Sequence, residues 1–155
     1  MKIDKKRGFT LVELMIVIAV IAIISAIAAP NFTTYMAQRR LNGAARMVMS
    51  DLMAARQKAV TQNNQFRVIF SGNQYTILDD DDNDGSADGG EITEVRNIQT
   101  DYYDVTISAV TANPIFYPRG TASGTKVTLT STRTGDNKYV KVATISGRVM
   151  IDDTP

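Results

Sequence analysis

Two places in this 155-residue chain concentrate groups that could do chemistry. The first is Asp79–Glu91, DDDDNDGSADGGE. Its residues follow the pattern D-x-[DN]-x-[DN]-G-x5-E, with Asp80, Asp82 and Asp84 at positions 1, 3 and 5. Gly85 supplies the turn at position 6, Ser86 a carbonyl at 7, Asp88 sits at 9 and Glu91 closes at 12. Hard oxygen donors at that spacing suit calcium, held as a structural ion that pins a loop. Neighbouring carboxylates also repel one another unless a cation neutralises them. The alternative is a plain acidic turn between strands, since no helix pair flanks the segment. The second place is Glu13, a carboxylate at the start of a long apolar run. A charge at the centre of a membrane helix costs roughly 2.5–3.5 kcal/mol, and less near its end.

The absences narrow the chemistry further. The chain has no cysteine and no histidine. Thiol nucleophiles, Ser-His-Asp triads and His- or Cys-ligated zinc are therefore excluded, as is any disulfide framework. Scattered carboxylates, lysines and tyrosines form no catalytic constellation, so the sequence does not read as an enzyme. The net charge of +1 conceals an asymmetry. Lys2, Lys5, Lys6 and Arg7 make the N-terminus basic, Asp79–Asp104 is acidic apart from Arg96, and Arg119–Arg148 is mostly basic.

The elements that must position these groups begin with RGFTLVELMIVIAVIAIISAIAAP, Arg7–Pro30. The run from Phe9 is about 20 residues, the length of a helix that spans a bilayer core. The basic residues before it should stay cytoplasmic, which puts the rest of the chain outside. A cleaved secretory signal fits poorly, because Pro30 follows the small residues of AIAAP at once and Glu13 interrupts the core.

The combination GFTLVELMIVIAVIAIISAIAAPNF resembles the N-terminal signature of type IV pilins nearly residue for residue. The resemblance implies a leader, residues 1–8, cut between Gly8 and Phe9 by a prepilin peptidase, with N-methylation of Phe9. It implies a membrane and filament-core helix over 9–30, insertion in the inner membrane with the N-terminus cytoplasmic and the globular domain periplasmic, and later residence in a filament. It also answers why a carboxylate sits in the apolar run. Cleavage frees an amine on Phe9, and in a bundle of such helices Glu13 of one subunit can meet the amine of its neighbour. Each group is costly to bury unpaired, so the pair fixes axial register. In this family Pro30 kinks the helix, for it removes a backbone hydrogen bond.

Beyond Pro30, Leu41, Ala45, Val48, Leu52, Ala55 and Ala59 recur at helical spacing, with Arg39, Arg40, Arg46, Arg56 and Lys58 mostly on the other side. This predicts an amphipathic helix over 31–62, continuous with the anchor and about 80 Å long in all, ended by TQNN. The pattern then switches to alternation. QFRVIF and YTIL around SGNQ predict a hairpin. Further strands are expected at Glu91–Ile98, Tyr103–Val110, Ile115–Tyr117, Lys126–Thr130, Tyr139–Ile145 and Arg148–Ile151. The fold class is α+β: one long helix packed on a mainly antiparallel sheet in a globular domain over 31–155. Its expected core sets the helix face against Phe66, Val68, Phe70, Ile77, Val105, Ile107, Val127, Leu129, Val140 and Val142.

RLNGAARMVMSDLMAARQKAV, FYPRGTAS followed by TKVTLT, and the final VKVATISGRV are similar to the H-type minor pseudopilins of type II secretion and to related minor type IV pilins. The missing C-terminal cysteine pair departs from many major pilins. The resemblance implies a structural subunit of a pseudopilus whose partners are other pilin-type subunits, the prepilin peptidase and the inner membrane. The alternative is a minor type IV pilin of pilus assembly or DNA uptake. In that reading Arg119, Lys126, Arg133, Lys138, Lys141 and Arg148 would hold phosphates. A solvated sheet face is the preferred reading of these bases, since aromatic residues among them are few.

Overall fold

The computed structural model describes residues 9–82 and 90–154, with the side chains of Ile92 and Thr93 left aside. It falls into two compact units that divide between Met36 and Ala37.

A single helix, α1, runs Leu11–Gln62 over 52 residues with Pro30 inside it. Proline has no N–H, so the Ala26 carbonyl loses its helical partner there. Polar side chains cluster around the same turn. Asn31 Nδ2 donates to the Ile27 carbonyl at 3.3 Å, and the Thr33 and Thr34 hydroxyls donate to the Pro30 carbonyl at 2.9 and 3.2 Å. The far end is stopped as TQNN predicts. Asn63 takes the left-handed conformation (φ 54°), and the Asn64 N–H reaches back to the Ala59 carbonyl at 3.2 Å. That is the bond of a Schellman cap, with asparagine in the role glycine usually fills.

The second unit holds the core. Ala37, Leu41, Ala44, Ala45, Val48, Leu52, Ala55 and Ala59 of α1 are buried. Five of these eight are alanine, which lets the helix backbone lie close to its cover. That cover is two antiparallel four-stranded sheets, where the sequence suggested one. The first, in the order β3-β2-β1-β5, comprises β1 (Gln65–Ser71), β2 (Gln74–Asp80), β3 (Ile92–Asn97) and β5 (Ile115–Phe116). The second, β4-β6-β7-β8, comprises β4 (Val105–Val110), β6 (Thr125–Ser131), β7 (Asn137–Val142) and β8 (Val149–Asp152). Between β3 and β4 lies a short helix, α2 (Ile98–Asp101), capped by the Asn97 side chain.

Eight of the ten expected sheet residues are fully buried, and Phe70 and Ile107 pack half-buried against them. The core also takes Tyr75, Leu78, Ile98, Phe116, Ala122 and Val149. Ile145, expected at the end of a strand, lies instead in the turn after β7 and is 85% exposed. Where strand pairing runs out, asparagines take over: Asn73 Oδ1 accepts the Ile107 N–H at 2.9 Å and Asn113 Oδ1 the Phe70 N–H at 3.0 Å.

Two arginines assigned to the polar side of the helix turn inward to tie it down. Arg40 grips Asp104 with two bonds, 2.8 and 2.7 Å, and stacks over the Tyr103 ring at 4.8 Å. Arg56 donates to the carbonyls of Gly120 and Ser146 at 2.9 and 3.1 Å, joining two turns to the helix. Gly147 is required at the second turn. Its φ is 60°, and a Cβ there would lie 2.3 Å from the Gly120 carbonyl oxygen.

Candidate functional site

The N-terminal carboxylate is engaged within its own helix. Thr10 immediately precedes α1, and its N–H and Oγ1 each donate to Glu13 Oε2 at 3.0 Å. In return Thr10 Oγ1 accepts the Glu13 N–H at 3.2 Å. This reciprocal pair is a capping box, T-x-x-E ahead of an apolar run, which satisfies helix donors that would otherwise lack partners. The reading of Glu13 from sequence missed it, although the four residues Thr10–Glu13 carry the signal. The carboxylate also complements the positive end of the helix dipole. Phe9 is 86% exposed. Gly8 lies outside the described residues. Around Glu13 every side chain from Leu11 to Phe32 is exposed, and an 18-residue window of α1 reaches a mean hydropathy of 2.9. The helix is long and apolar enough to cross a membrane.

The acidic segment is built on strand ends. Asp79 and Asp80 belong to β2, not to a loop, and Asp80 is fully buried. Arg67 of β1 donates to Asp80 Oδ2 from Nε and Nη2 at 3.1 and 3.0 Å. The Asp79 N–H bonds the Glu91 carbonyl at 2.8 Å, which sets Glu91 beside the end of β2. Carboxylate oxygens of Asp80, Asp82 and Glu91 consequently all lie within 4.8 Å of one another. Oxygens that share a calcium ion at 2.3–2.6 Å stand at most about 5 Å apart. That spacing is within what positions 1, 3 and 12 of the pattern need to share one ion, with Asp80 also held by Arg67. Asp84, Ser86 and Asp88, the remaining candidate ligands, lie outside the described residues.

The basic end does not gather into one patch. Lys138 pairs with Asp153, and Lys141 with Asp152 at 3.1 Å. Thr154 N–H first, then Lys141, hold the Asp152 carboxyl down at about 2. Lys126 lies over the Tyr139 ring at 5.8 Å. Arg119 and Arg148 line a groove beside the last turns of α1, whereas Arg133 is exposed elsewhere.

Comparison with known proteins agrees with this architecture. The family profile described as Type II transport protein GspH matches residues 44–147. The chain belongs to the GspH family. A second profile, the prokaryotic N-terminal methylation motif, matches residues 3–29. Among solved structures, the minor pseudopilin EpsH from the type 2 secretion system of Vibrio cholerae aligns at TM-score 0.58 and 10% identity, covering 74% of this chain and 97% of that one. The type IV minor pilin FimU of Pseudomonas aeruginosa aligns at 0.55 and 17%, covering 72% and 92%. At these identities the likeness is one of fold.

Curated relatives match over shorter stretches. Prepilin peptidase-dependent protein D of Escherichia coli K12 is 55% identical over 38 residues, 24% of this chain and 26% of that protein. A fimbrial protein of Pseudomonas aeruginosa is 40% identical over 60 residues, 39% and 38% of the two chains. The chain thus spans about a quarter of the length of the first of these relatives. Family and fold make this GspH-family chain a type IV pilin-like structural subunit rather than an enzyme.

Proposed function

We propose that the chain is a minor pseudopilin, a structural subunit of a type II secretion pseudopilus. The observation that carries this reading is the presence of the GspH profile and the N-terminal methylation motif on one chain. On this reading prepilin peptidase cuts between Gly8 and Phe9 and the new amine is methylated. The apolar part of α1 sits in the inner membrane, N-terminus cytoplasmic, with the globular unit periplasmic, and then enters a filament of pilin-type subunits. Glu13 changes partners on assembly: the capping bonds from Thr10 hold the carboxylate at the helix start, where the Phe9 amine of a neighbouring subunit can reach it. The fold likeness to FimU supports a second reading, a minor type IV pilin of pilus assembly or DNA uptake.

Two measurements test the first reading. Mass spectrometry of the N-terminal peptide from assembled material should begin at methylated Phe9, and a peptide beginning at Met1 would refute the processing. Glu13→Val should still insert in membranes but be depleted from purified filaments at least tenfold. Normal incorporation of that variant would sink the register role of Glu13.

We further propose that the Asp80–Glu91 segment binds calcium as a structural ion, supported by the convergence of Asp80, Asp82 and Glu91. A ligand that binds only the folded state at a hundredfold excess over Kd stabilises by about 2.7 kcal/mol. Millimolar calcium should therefore raise the melting temperature of the full chain in detergent micelles by several degrees, and chelator should remove the effect. Asp82→Ala with Glu91→Ala is the control, because Asp80→Ala would also strand Arg67. Equal melts for wild type and variant, with and without calcium, leave only an acidic turn.

A further inference from the structure

The outward face of the last four turns of α1 is unlike a helix face built for water. Arg39 and Arg46 are exposed further back, but from Met47 to Gln62 the exposed residues are Ser50, Met53, Ala54, Gln57, Val60, Thr61 and Gln62, none of them charged, while Asp51, Arg56 and Lys58 are half-buried. A helix that lies on a globular unit ordinarily presents charged side chains on that face. Met53 and Val60 remain 49% and 45% exposed. Beside them runs a groove of about 560 Å³, floored by Met53, Gln57 and Val60 and rimmed by Arg119 and Arg148. No carboxylate is among its lining residues.

The charges of the rim are also distinctive. Among the described residues neither Arg119 nor Arg148 makes an ion pair, whereas Lys138 and Lys141 each hold an aspartate. Arg56, which also lines the groove, spends its guanidinium on the Gly120 and Ser146 carbonyls and fixes the walls. A floor of Met53, Val60 and the stem of Gln57, beneath two guanidiniums that make no ion pair among the described residues, fits an amphipathic helix with a carboxylate at the edge of its apolar face. Ser50 and Ala54 let such a helix approach closely, methionine adapts to its shape, and arginine binds carboxylate through two parallel bonds. Nucleic acid fits less well. A phosphate backbone calls for a row of cations, and here two flank an apolar strip.

We propose that this surface is the docking site for an acidic amphipathic helical segment of a neighbouring pilin-type subunit. The inference rests on the assembly reading for the presence of that neighbour. It concerns a different part of the molecule from Phe9 and Glu13.

The chain contains no cysteine, so a single introduced cysteine at Gln57 can carry a benzophenone label in the otherwise intact protein. Irradiation of cells that assemble the filament should give one dominant product with a pilin-type subunit. Its attachment point should lie in a segment that has a carboxylate within one helical turn of the apolar face. Arg119→Glu with Arg148→Glu should lower the yield at least tenfold and leave thermal unfolding unchanged, and reversing the partner's carboxylate to lysine should restore it. The same label at Thr128, on the outer face of β6, should give little product. Four results overturn the proposal: yield indifferent to the arginine reversal, equal yield at Thr128, a nucleic-acid product, or incorporation into filaments with no product at Gln57. The last leaves the assembly reading intact, while absence from filaments together with absence of product overturns both.

Discussion

The two halves of α1 share one backbone and face opposite requirements. From Leu11 to Met36 no residue is buried, and half of the side chains are leucine, isoleucine, valine or methionine. From Ala37 to Ala59 eight residues are buried, five of them alanine. Exposed large aliphatic groups on all sides of a helix suit surroundings that are apolar all round. A narrow alanine stripe suits one close neighbour on one side, here the two sheets. Among the described residues the first half buries no side chain, whereas the second buries its stripe under the two sheets. Each fully buried Phe, Leu, Ile or Val contributes about 1.5–3 kcal/mol, and the second unit gathers these while the first leaves them outside.

The largest break in this comparison should come from one core truncation. Phe66 is fully buried in β1 beneath the helix. Phe66→Ala should lower stability by about 3–5 kcal/mol, through lost transfer energy plus a cavity. That is a large share of the roughly 5–15 kcal/mol typical of folded domains. Ile21→Ala, at a position 56% exposed in the first half, should leave the same transition in place. Urea unfolding of the full chain in detergent, followed by tyrosine fluorescence, reads both. A comparable loss from Ile21→Ala would mean that the two halves are not independent.

Much of this contrast was legible in the sequence. An apolar run of spanning length, a helical stripe after it and period-2 alternation after that are local signals, and each of the eight strands overlaps a stretch expected to be one. The inward turn of Arg40 and Arg56 was not legible. Their partners lie 64 or more residues away, and helical periodicity can say only which side a base leaves from. The burial of Asp80 was hidden for a similar reason: Arg67, which meets this aspartate, comes from the adjoining strand. Phe116 went unassigned to the core because β5 is two residues long, too short to show alternation. The capping box differs from these. Thr10 and Glu13 were in plain view, and attention to the membrane obscured an ordinary helix start.

A smaller effect sharpens the comparison at the point where the second half begins. Arg40 and Asp104 clamp α1 to the sheet unit near its start, and Asp104 is only 5% exposed. Asp104→Asn should cost about 2–3 kcal/mol, the scale of hydrogen bonds to charged groups. The Arg40 guanidinium holds the Asp104 carboxyl below its ordinary range. A carboxyl lowered by folding lends stability that is fully present above its unfolded pKa of about 3.9 and is lost as pH falls through the folded value. The gap between wild type and Asp104→Asn should thus be constant from about pH 7 to 5 and narrow below about pH 4. A gap that widens in acid would show that the pairing is not what stabilises the contact.

The smallest effect turns on a sign. Glycine inside a helix costs about 1 kcal/mol relative to alanine, so a substitution to alanine at an open helical site stabilises. Gly43 is such a glycine by position but not by surroundings. A Cβ there would lie 2.6 Å from Tyr102 Cε1 and 2.9 Å from its hydroxyl. Tyr102 is packed against the core, so its ring can retreat only by disturbing what holds it. Overpacking of this kind costs typically about 1–3 kcal/mol. Gly43→Ala should therefore be a net loss of up to about 2 kcal/mol, helix propensity offsetting part of the clash. In a Tyr102→Ala background the clash is absent and the same change should gain nearly the full propensity term. A double-mutant cycle should then show about 1–3 kcal/mol of coupling, far above what independent sites give. If Gly43→Ala stabilises equally in both backgrounds, the close seat of Tyr102 on the helix is wrong. The second half of α1 would then be held by its alanine stripe and arginine clamps alone.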